Sequence, residues 1–282
     1  MKPHSPWAWI PTLYFAQGLP YVAVMTISVI MYKRLGISNA ELAFYTGWLN
    51  LPWVIKPLWS PFVDIIKTKR WWIITMQVLM SAAMLMLPFL LPQATGEAIA
   101  STPLFYATLA LFWVTAFASA THDIAADGFY MLALDSGTQA EFVGIRSTFY
   151  RLSSIFGQGV LVAMAGIIES NTWDVHLAWK ITLLVSAVIF ACITLYHTWS
   201  LPRPSQDKMN VAASSATVAR DFLATFRSFF TKKYIWLALI FMLLYRLPEA
   251  FLVKMINPFM LDAPTAGGLG MSEEAVGIIY GT

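Results

Sequence analysis

Charge is what this sequence has least of. Only 12% of its 282 residues are Asp, Glu, Lys or Arg, about half the share a soluble domain carries. A chain with so little polar surface cannot stay dissolved on its own, which excludes a soluble domain and points to the membrane class. The net charge of +3 is too small to suggest a nucleic-acid partner. Cysteine occurs once, as Cys192, which excludes an internal disulfide framework and argues against a Cys-based metal centre. Of the four histidines, His4, His176 and His197 fall near the ends of apolar runs, so they offer no second cluster for a metal inside them. No metal, no other cofactor and no enzymatic activity are expected. The N-terminus also lacks a cleavable signal pattern: "MKPHSPWAWIPTLYF" enters a long apolar segment with no small-residue cleavage site.

Apolar residues are present in abundance. They make up 58% of the chain, with 15% aromatic residues and a mean hydropathy of +0.64. A spanning helix needs ~20 mostly apolar residues, and seven segments qualify: 7–32, 42–63, 71–91, 104–134, 142–168, 177–201 and 234–261. They are continuous rather than short and alternating, which favours helices over a transmembrane barrel. The expected fold class is an all-α membrane protein. An eighth segment begins at "EEAVGIIYGT" and is expected to be cut off by the end of the chain.

With the N-terminus inside, the cytoplasmic loops hold Lys2, Lys67, Lys69, Arg70, Arg203, Lys208, Arg220, Arg227, Lys232 and Lys233. The opposite side holds Lys33, Arg34 and Lys180. This asymmetry predicts a multi-pass protein with a cytoplasmic N-terminus. Trp7, Trp9, Trp71, Trp72 and Trp199 fall near span ends, where indoles suit the headgroup zone. Residues 1–201 therefore read as a six-helix unit, 202–233 as a cytoplasmic linker, and 234–282 as a seventh helix and the start of an eighth. Within the linker, "RDFLATFRSFFTKK" places Phe222, Leu223, Phe226, Phe229 and Phe230 at helical spacing among Arg220, Arg227 and Lys232. That pattern suggests an amphipathic helix on the membrane face, with a partly ordered linker as the alternative.

The chain also repeats itself. Leu19-Pro20 of the first segment matches Leu247-Pro248 of the seventh, and the following loops align as "LGISNAELAFYTG" (35–47) and "LGMSEEAVGIIYG" (269–281). Leu35, Gly36, Ser38 and Gly47 match Leu269, Gly270, Ser272 and Gly281. Six spans separate the copies, so both enter with one orientation. The match points to the parallel duplication of major facilitator transporters, with chance similarity between apolar segments as the alternative; on that reading most of a second half is expected to be missing.

Several ionisable groups sit inside the spans, where each costs at least ~2.5–3.5 kcal/mol unless it faces the interior and finds a partner. In "ATHDIAADGFY" (120–130), Asp123 and Asp127 share a helix face, while His122 points about 100° away from Asp123. Depth along the fifth segment predicts that Asp127 meets Arg146 and Asp123 meets Arg151. Such pairs could form a proton-coupling network or simply glue two helices. Lys56, among Pro52, Pro57 and Pro61, could bind a substrate carboxylate where the prolines free backbone carbonyls. It could equally snorkel to the interface near Asp64. Arg246, Glu249 and Lys254 charge the seventh segment and are candidates to face a central cavity with Gln17, Lys56, Tyr150 and Gln158. Arg246 and Glu249 could instead pair locally at i,i+3. Gly157, Gly159 and Gly166 suggest close helix packing. An intramembrane metalloenzyme built on His122, Asp123 and Asp127 is the minor alternative. A truncated, non-transporting relative is a third reading.

The motifs "FAQGLPY" (15–21), "LPWVIKPLWSPFVD" (51–64), "SATHDIAADGFY" (119–130), "LLYRLPEAF" and "NPFMLD" together resemble the AmpG-type muropeptide permeases. Their acetyl-CoA-transporter-like relatives within the major facilitator superfamily share the likeness. His122 stands where that family commonly has Gln. Asp64 and the loop "IIKTKR" resemble a degenerate form of the superfamily's basic loop motif, with Ser60 in place of Gly and Ile65 in place of Arg. This makes Asp64, Lys67 and Arg70 candidates for gating at the cytoplasmic face. The resemblance implies a monomeric secondary transporter in the bacterial inner membrane. It would import anhydro-muropeptides, or a related anionic sugar-peptide, with protons for cell-wall recycling. Acetyl-CoA or another organic anion is the alternative cargo.

Overall fold

The computed structural model describes residues 5–93, 99–208, 220, 223, 224, 227, 228 and 230–281. Among the described residues the regular structure is helical. Six helices are long and apolar enough to cross a membrane. They are α1 (Pro6–Arg34), α3 (Lys69–Phe89), α4 (Pro103–Ala133), α5 (Ser136–Thr172), α6 (Val175–Ser200) and α7 (Ile235–Leu261). Each lies within a few residues of an expected segment. The segment expected at 42–63 differs. There α2 is a string of short pieces, Asn39–Gly47, Leu51–Ile55 and Ser60–Ile65, joined by single 3-10 turns at Trp48–Asn50 and Lys56–Leu58. Pro52, Pro57 and Pro61 each sit in the first turn of a piece. A proline there needs no N–H of its own, but in a continuous helix it would break the hydrogen bond four residues back.

Four of the spanning helices start on side-chain caps. Thr68, Thr102, Asp135 and Asp174 each accept a backbone N–H from the first turn of α3, α4, α5 and α6, replacing partners the helix cannot supply. α1 is the innermost helix, with Ile10, Leu13, Leu19 and Ile27 fully buried. It crosses α5 where glycines permit close approach. A Cβ on Gly18 would lie 1.8 Å from Ser153 Oγ, and one on Gly157 would lie 2.6 Å from Val22 Cγ1. Both helices relax into a π turn at this crossing, Ala23–Ile27 in α1 and Phe156–Leu161 in α5.

The two copies of the repeated loop fold alike. Gly36 and Gly270 both take positive φ, +100° and +64°, which glycine adopts at no steric cost. Ser38 accepts from Glu41 N and Ser272 from Ala275 N at 3.2 Å, opening α2 and α8 (Glu273–Gly281) respectively. α8 packs on α5 through the glycines read as packing residues: a Cβ on Gly166 would meet Glu274 N at 2.5 Å, and one on Gly277 would meet Gly159 O at 2.9 Å. In the linker, the described residues among 220–230 are helical, while Phe222, Phe226 and Phe229 of the expected amphipathic face lie outside the described residues.

Candidate functional site

Asp123 and Asp127 lie one turn apart on α4, and each has found a cation. Asp127 Oδ1 accepts from Arg146 Nη2 of α5 at 2.7 Å and from the Tyr14 hydroxyl of α1 at 3.3 Å. The guanidinium carbon of Arg146 also sits 4.4 Å and 4.3 Å from the ring centres of Tyr14 and Tyr130, within cation–π range. The depth argument for Asp127 and Arg146 therefore holds.

For Asp123 it fails. Its partner is Lys56 of α2, with Nζ 3.5 Å from Oδ2, and not Arg151. Five residues advance a helix by about 140° beyond a full turn, so an Arg146 that faces α4 turns Arg151 away from it. Lys56 can reach inward because α2 breaks beside it at Pro57. Asp123 is buried, and the Gln17 amide flanks it.

Arg151 instead lines a cavity of about 620 Å³ with Gln17, Asp127, Arg146, Tyr150 and Ser154, drawn from α1, α4 and α5. Among the described residues it forms no ion pair, whereas Arg146 and Lys56 are each matched by one carboxylate. Among the described residues the polar wall thus carries one positive charge without a counterion. Gln17 and Tyr150 line the cavity as expected. Gln158 turns to Thr26 at 3.4 Å and belongs to the crossing of α1 and α5. On α7, Glu249 is exposed, and the side chains of Arg246 and Lys254 lie outside the described residues.

His122 is not part of this charge network. It is fully buried on another face of α4, with Nε2 3.0 Å from the Gln77 amide of α3. Gln77 continues to His197 Nδ1 of α6 at 2.9 Å, and His197 Nε2 to Thr12 Oγ1 of α1 at 2.9 Å. One unbroken polar chain so joins four helices. Gln77 and Thr12 escaped sequence reasoning, since single polar residues in apolar runs carry no periodic signal. Among the described residues, no three His, Cys, Asp or Glu side chains gather in a way that could hold a metal ion.

At the α2–α3 loop, Asp64 pairs with Lys69, not with Lys67 or Arg70. Lys67 takes a positive φ of 68°. Arg70 reaches the end of α6, donating to Thr198 O at 2.6 Å and Leu201 O at 3.3 Å. Asp207 of the linker accepts from the backbone of Lys69 at 2.7 Å and Arg70 at 3.0 Å, a carboxylate on a helix N-terminus.

The sequence profile of the BT1 family matches residues 15–253. The chain belongs to the BT1 family. It is 28% identical to the anhydromuropeptide permease of Escherichia coli (strain K12) over 95% of this chain and 53% of that protein. It is 23% identical to the putative transporter AmpG 4 of Rickettsia felis, over 95% of this chain and 63% of the relative. The chain thus spans between half and two thirds of these relatives' length. Among solved structures, it resembles a bacterial homologue of the human lysosomal transporter Spinster in an inward-facing, unoccupied conformation. The TM-score is 0.61 at 15% identity, over all of this chain and 59% of the other. The likeness shows the fold alone: an all-α helical bundle of the same type as that neighbour.

Proposed function

We propose that this chain forms the first half, linker and opening helices of the second half of a secondary transporter. It imports anhydro-muropeptides, or closely related anionic sugar-peptides, into the cytoplasm with protons. The observation that carries this reading is the unmatched guanidinium of Arg151 in the 620 Å³ cavity, flanked by hydrogen-bonding Gln17 and Tyr150. A carboxylate substrate would complete that charge balance, and a bidentate guanidinium contact suits its planar geometry. The anhydromuropeptide permease among the relatives supports the choice of cargo. Asp123 is the proposed proton carrier. It is buried and paired with Lys56 across a long 3.5 Å contact.

On this reading the protein is a monomer of the bacterial inner membrane with a cytoplasmic N-terminus and no enzymatic activity. The excess of Lys and Arg in the loops on the N-terminal side supports that orientation. Uptake of labelled anhydro-muropeptide into proteoliposomes tests it. Accumulation should follow an imposed pH gradient, collapse with an uncoupler, and vanish in Asp123→Asn. Uptake indifferent both to the gradient and to neutralisation of Asp123 and Asp127 would refute proton coupling. No uptake at all would refute the cargo.

A further inference from the structure

Arg34 at the end of α1, Glu169 near the end of α5, Asp262 just after α7 and Glu273 at the start of α8 all converge on one face of the bundle. Two charge clusters close that face. The first is balanced. Lys33 Nζ lies 2.5 Å from Asp262 Oδ1 and donates to Asn39 Oδ1 at 2.6 Å, while Asn39 Nδ2 donates to Asp262 Oδ2 at 2.6 Å. Lys33 and Asn39 hold the Asp262 carboxyl below the usual carboxylate range. This cluster stays ionised and neutral as a pair around pH 7.

The second cluster is not balanced. The single guanidinium of Arg34 contacts Glu169 and lies with Nε 2.7 Å from Glu273 Oε1. The Glu273 side chain is only 1% exposed. Its close contact with Arg34 is poorly aligned as a hydrogen bond, and among the described residues Glu169 Oε2 has no donor. The other group beside the carboxyl is the non-titrating Trp179 indole of α6; the adjacent Glu274 points to solvent. Gly166 of α5 makes the approach feasible, since any Cβ there would strike the Glu274 backbone. A fully ionised cluster would bury two carboxylates against one cation, and a buried charge without a partner is costly.

We infer that Glu273 takes up one proton when this face is closed, so that Arg34, Glu169 and Glu273 form a proton-binding gate between the two halves. The inference rests on the transport reading above, in which the N-terminus is cytoplasmic and this face, at the far end of α1, is the outer one, with the two halves parting there to admit substrate. The proton enters from solvent on that face as α8 closes onto α1 and α5. It leaves when they part, because Arg34 can then balance Glu169 alone while Glu273 ionises in water. The closed state binds one more proton than the open state, so lower outer pH favours closure. Linkage for one proton sets the limit at about tenfold in the closed-to-open ratio per pH unit.

Pulsed EPR distances between spin labels on Thr172→Cys and Ala266→Cys, in a Cys192→Ser background of the full chain in nanodiscs, read this directly. The short-distance population should grow as pH falls from 9 to 5. Glu273→Gln should be closed throughout with no pH response, because glutamine removes the surplus charge. Should Glu273→Gln not fold, Glu169→Gln carries the same expectation. Asp262→Asn should change the closed fraction yet keep the pH response. A wild-type distribution unchanged with pH, or an undiminished response in Glu273→Gln and Glu169→Gln, would overturn the gate. Uptake with a pH-blind outer face removes the gate and leaves the transport reading standing. A pH-responsive face without uptake supports the gate and removes the cargo.

Discussion

Arg146 and Arg151 sit five residues apart on one helix, line one cavity, and should fail in opposite ways when neutralised. Arg146 is held inside the protein by Asp127 at 2.7 Å and by the faces of Tyr14 and Tyr130. The ion pair is partly solvated, with side chains 28% and 45% exposed, so it is discounted to about 0.5–1 kcal/mol. Each ring contact adds about 0.5–1 kcal/mol. Arg146→Gln should therefore destabilise the protein by about 1.5–3 kcal/mol, visible as a lowered unfolding temperature in detergent. Among the described residues Arg151 makes no such contacts, and Arg151→Gln should leave that temperature unchanged. Its loss falls on the substrate, where a charge-assisted hydrogen bond of about 1.5–3 kcal/mol amounts to roughly 10- to 150-fold in apparent affinity. Arg151→Lys should recover part of it, since charge is kept but the planar fork is lost. A lowered unfolding temperature in Arg151→Gln with unaltered KM, or an unperturbed Arg146→Gln, would show that the two roles have been assigned the wrong way round.

Other perturbations follow from the same contacts. Lys56→Met strands the buried Asp123 carboxylate and should cost about 1–3 kcal/mol, with Lys56→Met/Asp123→Asn more stable than the single change in thermal unfolding. Gln77→Leu removes the link between His122 and His197 and leaves buried ring nitrogens without partners. It should destabilise by about 1–3 kcal/mol per stranded group, while Gln77→Glu would place a charge in the same buried site and should be worse. Gly18→Ala puts a methyl against Ser153 Oγ and the Tyr150 carbonyl, an overpacking cost of about 1–3 kcal/mol that Ser153→Gly should partly relieve. The Asp262 clamp has a pH signature of its own. Its carboxyl is depressed by Lys33 and Asn39, so its contribution is complete above the ordinary carboxylate pKa of about 4. It is lost as pH falls through the lower folded value. In Glu273→Gln, where the second cluster carries no surplus charge, the Thr172–Ala266 distance should then hold between pH 6 and 9 and lengthen only as Asp262 protonates below about pH 4.

The parts of this molecule that were readable in its sequence share one property: they depend on counting along a single chain direction. Span lengths, the match of Gly36-Ser38 with Gly270-Ser272, and the level of Asp127 against Arg146 all follow from position along a helix axis. What was not readable depends on the angle around it. Arg151 lies at the right depth for Asp123 and faces elsewhere, and Lys56 takes its place only because Pro57 interrupts α2. The prolines were visible, yet the apolar count of residues 42–63 still suggested one continuous span, because hydropathy records what lipid tolerates and not which backbone donors are missing. Arg34, Glu169 and Glu273 show the same limit from another side. At segment ends they serve as markers of topology, and only the packing of α8 against α5 through Gly166 turns them into a buried cluster with one anion too many. In a bundle with so few charges, each level of the membrane can be checked for balance. Among the described residues the cavity has a surplus cation at Arg151 and the closed face beside Arg34 a surplus carboxylate. Those two imbalances are where an anionic substrate and a proton would each restore neutrality.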